Sequence, residues 1–202
     1  MSIPKAPPGP IDRRAAADAI DAFLRALGRS DPEIVGTGER VADMFADELC
    51  AGYDVDTRKL VEGSAIDATS QPIAVGGSLV VVRDIPFVTT CPHHLLPSIG
   101  TATVGFKATT RLVGLGTVVA LVDAHARRLA LQEHIGEGVV EDLDAVLTPE
   151  WVGCRLVLAH GCMIARGERA TGAHVETLAL RGPPDRVAEA HAALGVGQGG
   201  GR

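Results

Sequence analysis

Apolar residues recur at helical spacing early in the chain and switch to a strand-like pattern near its middle. Over residues 11 to about 27 they repeat every three or four positions, and Gly28 is the expected stop. A second amphipathic helix is predicted over 37–49, ending near Gly52. Residues 54–70 are polar and indicate neither helix nor strand. The start of the chain is therefore predicted to be helical.

Val, Ile and Thr then dominate residues 72–90 and 100–106, with Gly breaks that are typical of paired strands. Helical spacing returns on one apolar stripe from 121 to about 146. Short apolar runs at 151–163 and 174–182 predict further strands. This order predicts an α+β fold with leading helices, a largely antiparallel sheet and helices packed on one of its faces.

The chain divides into three predicted parts. Residues 1–33 form a proline-rich lead-in and a helix, 34–185 form the main domain, and 186–202 form a C-terminal helix and a flexible Gly-rich tail.

Composition narrows the class of protein. The chain has 202 residues, 46% hydrophobic and 22% charged, as expected of one globular domain. A net charge of −6 without a Lys/Arg cluster argues against a nucleic-acid partner. The N-terminus lacks the pattern of a secretory signal, and no apolar run reaches the ~20 residues that span a bilayer. A cytoplasmic protein without a membrane partner is expected.

Candidate chemistry begins with the stretch CPHHLLP at 91–97. Cys91 and His94 are spaced so that both side chains reach one ion from a turn, and zinc favours thiolate and imidazole ligands. A third ligand has to come from elsewhere, and His160 and Cys162 are both candidates.

Packing is the simpler alternative for such residues, because a free Cys behaves as a small hydrophobe and a His is often a hydrogen-bonded core residue. Cys50 and Cys154 lie in apolar patterns and are interpreted as core. The histidines without a partner in the pattern are interpreted as structural: His125, His134, His174 and His191.

Four motifs in the right order give the sequence a resemblance to the GTP cyclohydrolase I family over residues 34–182. The family pattern C-x-H-H-L-L-P matches 91–97, and R-V-A-x-M-[YF]-x-[DE]-E-L matches 40–49. The pair Gln132-Glu133 matches, as do His160, Cys162 and Met163 with the later Arg166-Gly167.

The resemblance implies a fold and an activity. The fold is the tunnelling fold (T-fold), a four-stranded antiparallel sheet with two helices on one face. The sheets of several subunits join into a barrel, two pentamers stack into a decamer, and the active sites lie between subunits. The activity is zinc-dependent hydrolysis of the guanine ring of GTP at C8, which releases formate and yields 7,8-dihydroneopterin triphosphate.

The resemblance also separates the roles of the site residues. It implies zinc ligands at Cys91, His94 and Cys162, and acid/base groups at His93 and His160. An imidazole has a reference pKa of about 6.5, which suits proton transfer near neutral pH.

The substrate contacts follow in the same way. Glu133, Gln132 and Leu115 are expected at the purine, where a carboxylate can accept from N1–H and the 2-amino group of guanine. Arg40 and Arg166 are expected at the phosphates.

The sequence departs from the family at the phosphate end. Asp43, Thr117 and Ala120 stand where three basic residues are expected, while Pro92 replaces a usual Glu and Ser98 a usual aromatic residue. Three functions remain open: GTP cyclohydrolase I itself, a zinc cyclohydrolase acting on a less phosphorylated or different purine, and a non-catalytic oligomeric homologue.

Overall fold

The computed structural model describes residues 9–68, 77–167 and 169–197. The helices are α1 Arg13–Ala26, α2 Thr37–Met44, α3 Thr57–Glu62, α4 Leu115–Ala126, α5 Gln132–Leu147, α6 Gly161–Ile164 and α7 Val187–Leu194. The strands are β1 Ala65–Asp67, β2 Ser78–Thr90, β3 Pro97–Ala108, β4 Arg111–Val113, β5 Trp151–His160 and β6 Val175–Arg181. The predicted lead-in at 1–8, the first part of the predicted strand segment at 72–76 and the predicted tail at 198–202 lie outside the described residues.

One four-stranded antiparallel sheet with the order β2-β3-β5-β6 organises the main domain. The buried side chains of β2, β3 and β5 form one core cluster with those of α4 and α5. A small second sheet pairs β1 with β4. The predicted α+β class is confirmed, and so is the tunnelling-fold arrangement of sheet and helices.

The two N-terminal helices pack against each other. The Asp12 carboxylate caps α1 by accepting from the backbone N–H of Ala15 at 2.9 Å, and Gly28, at φ 71°, follows its end. α2 continues into a π-helical turn over Phe45–Leu49, so the predicted helices at 11–27 and 37–49 are confirmed. Within the described ranges, no helix combines the length and apolar character that a bilayer crossing requires.

The single helical stripe predicted over 121–146 is wrong in one respect, because the segment contains two helices. α4 ends at Ala126, and the chain turns before α5 begins at Gln132. Arg128 holds this turn by donating from Nε to the carbonyl of Gly52 at 3.0 Å. Leu129, which the stripe included, lies in the turn and is partly exposed.

Two further boundaries differ from the sequence prediction. The polar segment 54–70 contains the short helix α3 and the strand β1. The strand predicted over 151–163 ends at His160, where the chain enters the helical turn α6.

The opposite face of the sheet is partly covered by α7. A Cβ atom on Gly153 would lie 2.7 Å from Leu194 Cδ1, and one on Gly105 would lie 3.2 Å from Leu194 Cδ2. The two glycines are paired across β3 and β5, so they form the hollow that receives this leucine.

A buried ionic network ties α3, α4 and α5 together beneath the sheet. Asp142 accepts from His125 Nε2 at 2.9 Å and from Arg58 Nε at 3.0 Å. Burial by itself would raise the pKa of Asp142, but hydrogen bonds from His125, Thr57 and Arg58 outweigh it and hold this pKa at about 2. His125, a structural residue in the sequence prediction, thus packs in the core.

Candidate active site

The CPHHLLP stretch forms the hairpin loop between β2 and β3. Its ends are joined by two backbone hydrogen bonds, from Leu95 N to Cys91 O at 2.9 Å and from Cys91 N to Leu96 O at 3.0 Å. Leu95 takes a left-handed conformation at φ 53°, which reverses the chain. Cys91 is therefore fixed at the base of a closed loop.

Cys162 reaches this loop because β5 lies beside β3. The chain leaves β5 at His160 and turns at once into α6, so Cys162 lies in its first turn. A Cβ on Gly161 would lie 2.5 Å from the carbonyl oxygen of Pro97, so the absence of a side chain there permits the close approach.

Cys91, His94 and Cys162 form a group that could hold a metal ion, with their ligand atoms within 4.8 Å of one another. The Sγ of Cys91 lies 3.8 Å from Nδ1 of His94. Zinc–sulfur and zinc–nitrogen bonds of about 2.3 and 2.1 Å in a tetrahedron place such atoms roughly 3.6 Å apart. Two thiols and an imidazole are also a donor set that zinc prefers, so these residues fit the metal.

Burial and nearby groups shift the pKa of one thiol of the group, Cys162. Burial and the neighbouring Cys91 raise the pKa of the Cys162 thiol, while the positive charge of Arg166 acts in the opposite direction. Arg166 donates to Nε2 of His94 at 2.9 Å. Nδ1 is the His94 nitrogen that faces Cys91, and because a guanidinium only donates, the contact with Arg166 would have to break before Nδ1 could offer its lone pair to a metal.

His93 is exposed on the same loop, with Nδ1 4.0 Å from Cys91 Sγ. Its ring lies edge-on to that of His94, at 6.2 Å between centroids and 75° between planes. Although the rings are inclined, the Nδ1 atoms of both histidines lie within 4.0 Å of the Cys91 sulfur.

His160, at the end of β5, has a polar partner for each ring nitrogen. Its Nδ1 lies 3.1 Å from the hydroxyl oxygen of Ser98, and its Nε2 lies 2.8 Å from Oε1 of Gln132. Gln132 is 4% exposed, and its amide nitrogen donates to the carbonyls of Leu156 and Val175. The structure thus joins Gln132 to His160.

The other residues predicted at the purine lie at helix starts. Glu133 is exposed in the first turn of α5 and makes no hydrogen bond or ion pair within the described ranges. Leu115 is the first residue of α4 and is 61% exposed. Both side chains are accessible to a ligand.

The two residues predicted at the phosphates each have other partners. Arg40 is exposed on α2 and donates to Val35 O at 3.0 Å and to Thr37 Oγ1 at 2.9 Å. Arg166 bonds to His94 instead. No hydrogen bond among the described residues joins Arg40 to the metal-binding group.

The three positions where a basic residue was expected each have a different environment. Asp43 accepts from Arg13 of α1 at 2.9 Å. The hydroxyl of Thr117 donates to Ser64 Oγ at 2.8 Å, and Ala120 lies exposed on α4.

Sequence reasoning missed two residues of this region, the Arg13 partner of Asp43 and the Ser98 partner of His160. Arg13 offered no signal, because surface arginines on amphipathic helices are common. Ser98 offered a weak one, since it begins an apolar strand directly after the Cys-His loop.

Comparison with known proteins places the chain among enzymes. The family model of GTP cyclohydrolase I matches residues 16–194. GTP cyclohydrolase 1 of Allorhizobium ampelinum is 33% identical over 173 residues, which cover 84% of this chain and 83% of that protein. GTP cyclohydrolase 1 of Leifsonia xyli subsp. xyli is 34% identical over 192 residues, 92% and 97% of the two chains. Among solved structures, the archaeosine synthase QueF-Like in the apo form aligns with 54% of this chain at 18% identity and a TM-score of 0.43.

Proposed function

The chain belongs to the GTP cyclohydrolase I family of hydrolases acting on cyclic amidines, and from that premise we propose that it opens the guanine ring of GTP at C8. The products are formate and 7,8-dihydroneopterin triphosphate. The observation that carries the proposal is the group of two thiols and one imidazole within 4.8 Å, on a loop and a turn adjoining His160.

Cys91, His94 and Cys162 would hold a zinc ion and leave a fourth position open. Zinc in such a site supplies a Lewis acid that lowers the pKa of a water molecule towards neutrality. Burial and the neighbouring Cys91 raise the pKa of the Cys162 thiol, and the Arg166 charge offsets this only in part, so a bound metal would have to displace the thiol proton.

His160 is assigned the proton transfer to the imidazole-ring nitrogen of guanine, and His93 the proton transfers during ribose opening and rearrangement. His160 is partly buried and held by Ser98 at Nδ1 and by Gln132 at Nε2, and the contact with Gln132 would have to give way for Nε2 to meet the purine. His93 is exposed on the loop, where a flexible sugar could reach it.

Glu133 is assigned the recognition of guanine, with Gln132 beside it and Leu115 as an apolar contact. A carboxylate without a protein partner among the described residues can accept from N1–H and the 2-amino group together. Adenine lacks that pair of donors and would leave the carboxylate unpaired, which gives strong discrimination.

Arg40 and Arg166 are assigned to the phosphates, and both would have to leave their present partners to bind there. Asp43 adds a carboxylate near that end, although Arg13 offsets its charge. This arrangement favours a second candidate substrate, a less phosphorylated guanine compound. Each charge-assisted contact is worth roughly 1.5–3 kcal/mol, so the missing cations would cost orders of magnitude in affinity for a triphosphate.

The deciding experiment gives zinc-loaded protein GTP, GMP and guanosine in parallel and follows formate release and product mass. Formate and a dihydropterin triphosphate from GTP would support the first candidate. Turnover of GMP or guanosine alone would support the second. No formate from any of the three, with zinc confirmed by elemental analysis, would refute both. A His160→Gln variant should be inactive, while His134→Gln, which alters a helix residue outside the site, should retain activity.

Asp43→Lys tests the phosphate end directly. We expect KM for GTP to fall about tenfold or more while KM for guanosine stays unchanged, because only GTP carries the charges that a new cation would meet. An equal fall for both substrates would place position 43 away from the phosphates.

We also propose a homodecamer of two pentamers located in the cytoplasm, with active sites completed between subunits. Its support is that β2 and β6 each have one neighbour in the main sheet of the described residues, which leaves two edges for pairing with other subunits. The free thiols Cys50, Cys91, Cys154 and Cys162 agree with a reducing compartment. Light scattering on the zinc-loaded protein measures the assembly mass.

A further inference from the structure

Ser98 occupies a special position in the sheet. It is paired with His160 across β3 and β5, it is 1% exposed, and its hydroxyl oxygen lies 3.1 Å from Nδ1 of His160. A buried hydroxyl beside an imidazole in the candidate site has to be explained, because the other buried residues of β3 are mainly apolar.

The hydrogen-bond pattern determines which nitrogen of His160 carries the proton. The Gln132 amide nitrogen donates to Leu156 O at 3.2 Å and Val175 O at 3.0 Å, so Oε1 is the atom that faces His160. An amide oxygen only accepts, and therefore Nε2 of His160 is the donor at 2.8 Å. In the neutral ring Nδ1 then has a free lone pair, to which the Ser98 hydroxyl donates.

We propose that Ser98 is a positioning residue for His160, which with Gln132 holds the imidazole in the Nε2–H tautomer and in one ring orientation. The inference rests on the proposed function, in which His160 transfers a proton to the purine. Ser98 itself contacts no substrate in this proposal. It acts by restricting the ring: its hydroxyl donates to Nδ1 of the neutral imidazole and accepts from Nδ1–H of the charged imidazole, which is the form that gives up a proton. With Nδ1 held in this way, Nε2–H is the group that would exchange Gln132 for the purine, and a proton donor contributes fully only when its nitrogen is held in line with its target.

The sheet supplies a matched control. Thr89 is the cross-strand neighbour of Ser98 on β2, and its hydroxyl is also buried but has no hydrogen-bond partner among the described residues. Thr89→Val removes a buried hydroxyl from the same row of the sheet with little change of shape. If burial of a polar group near the site were the only property that mattered, the two positions would respond alike.

The first measurement is solid-state ¹⁵N NMR of the zinc-loaded full chain with ring-labelled histidine, in which His160→Gln assigns the His160 signals. We expect one Nε2–H tautomer in the unmodified protein, and a shifted or doubled Nδ1 signal in Ser98→Ala. Ser98→Thr, which keeps the hydroxyl, and Thr89→Val should leave the signals in place. Unchanged signals in Ser98→Ala, or the same change in Thr89→Val, would overturn the proposal.

The second measurement is steady-state kinetics on whichever guanine compound is turned over. Ser98→Ala should lower kcat about tenfold and leave KM within about twofold, because alignment is lost and substrate binding is not. Ser98→Thr should restore most of kcat. A change confined to KM would overturn the positioning role. If no guanine compound is turned over, the proposed function fails by itself and the NMR result still decides the role of Ser98.

Discussion

Replacement of Asp142 by Asn should remove one buried source of the acid sensitivity of the fold. Asp142 joins His125 of α4 and Arg58 of α3 to α5, and its side chain is 10% exposed. Hydrogen bonds hold its pKa at about 2, against an ordinary value of 3.8. That difference corresponds to about 2.5 kcal/mol of folding free energy at neutral pH.

The way in which the contribution of Asp142 to stability changes with pH follows from its lowered pKa. The carboxylate is favoured in the folded state, so its contribution is complete above pH 4 and is lost as the pH falls from about 4 to about 2. We expect the free energy of unfolding of Asp142→Asn to be about 2.5 kcal/mol lower than that of the unmodified protein at pH 7. This difference between the two proteins should shrink as the pH falls towards 2.

Guanidinium unfolding followed by far-UV circular dichroism over this pH range measures the gap. Both proteins are compared at one concentration, so that loss of metal or of subunit contacts is common to the two curves. Asp123→Asn is the control, because Asp123 forms an exposed pair with Arg127 that is worth at most about 1 kcal/mol. The stabilising role of the Asp142 carboxylate would be refuted if the difference in unfolding free energy stayed constant down to pH 2. It would also be refuted if Asp123→Asn showed an equal difference.

Four other expectations concern the metal and the core. Cys162→Ala should lose bound zinc by elemental analysis, while Cys50→Ala, which alters a buried thiol outside the group, should keep it. Zinc affinity measured by chelator competition should fall as the pH is lowered from 8 to 6, because burial and the neighbouring thiol raise the pKa of Cys162 and the metal must displace that proton. Gly138→Ala should destabilise the fold by about 1–3 kcal/mol, since its Cβ would lie 2.4 Å from the His125 ring. Gly136→Ala, whose Cβ would meet its nearest neighbour at 3.4 Å, should be neutral or stabilising by up to about 1 kcal/mol in thermal unfolding.

The spacing of apolar residues predicted those helices and strands that bury a regular stripe of apolar side chains. The helix at 11–27 and the strand that ends in CPHHLLP follow from side-chain spacing, because each has one face in contact with the rest of the protein. The break between α4 and α5 did not follow, since apolar residues continue through the turn. That turn is set by the contact of Arg128 with Gly52, two residues that are distant in sequence.

The candidate site, like the fold, could be predicted from the sequence only in part. The grouping of Cys91 and His94 was predicted from spacing on one loop, whereas the third ligand remained a choice between His160 and Cys162 until the resemblance was considered. The strand pairing places both of these residues near the loop. The role of Ser98 depends on a register across strands, which neither composition nor spacing contains.

The candidate metal-binding loop and the helices that carry Arg40 and Leu115 are different elements of the fold, and this division has a consequence for the evolution of the protein. The candidate metal ligands and His160 are held by strand ends and by the register of the main sheet, so most changes there would also disturb folding. Exposed positions on α2 and α4 can change with little cost to stability, as the salt bridge of Asp43 and the bare Ala120 illustrate. Under the proposed function, selection can therefore change the contacts to the polar part of the substrate on those helices while the candidate metal site is kept.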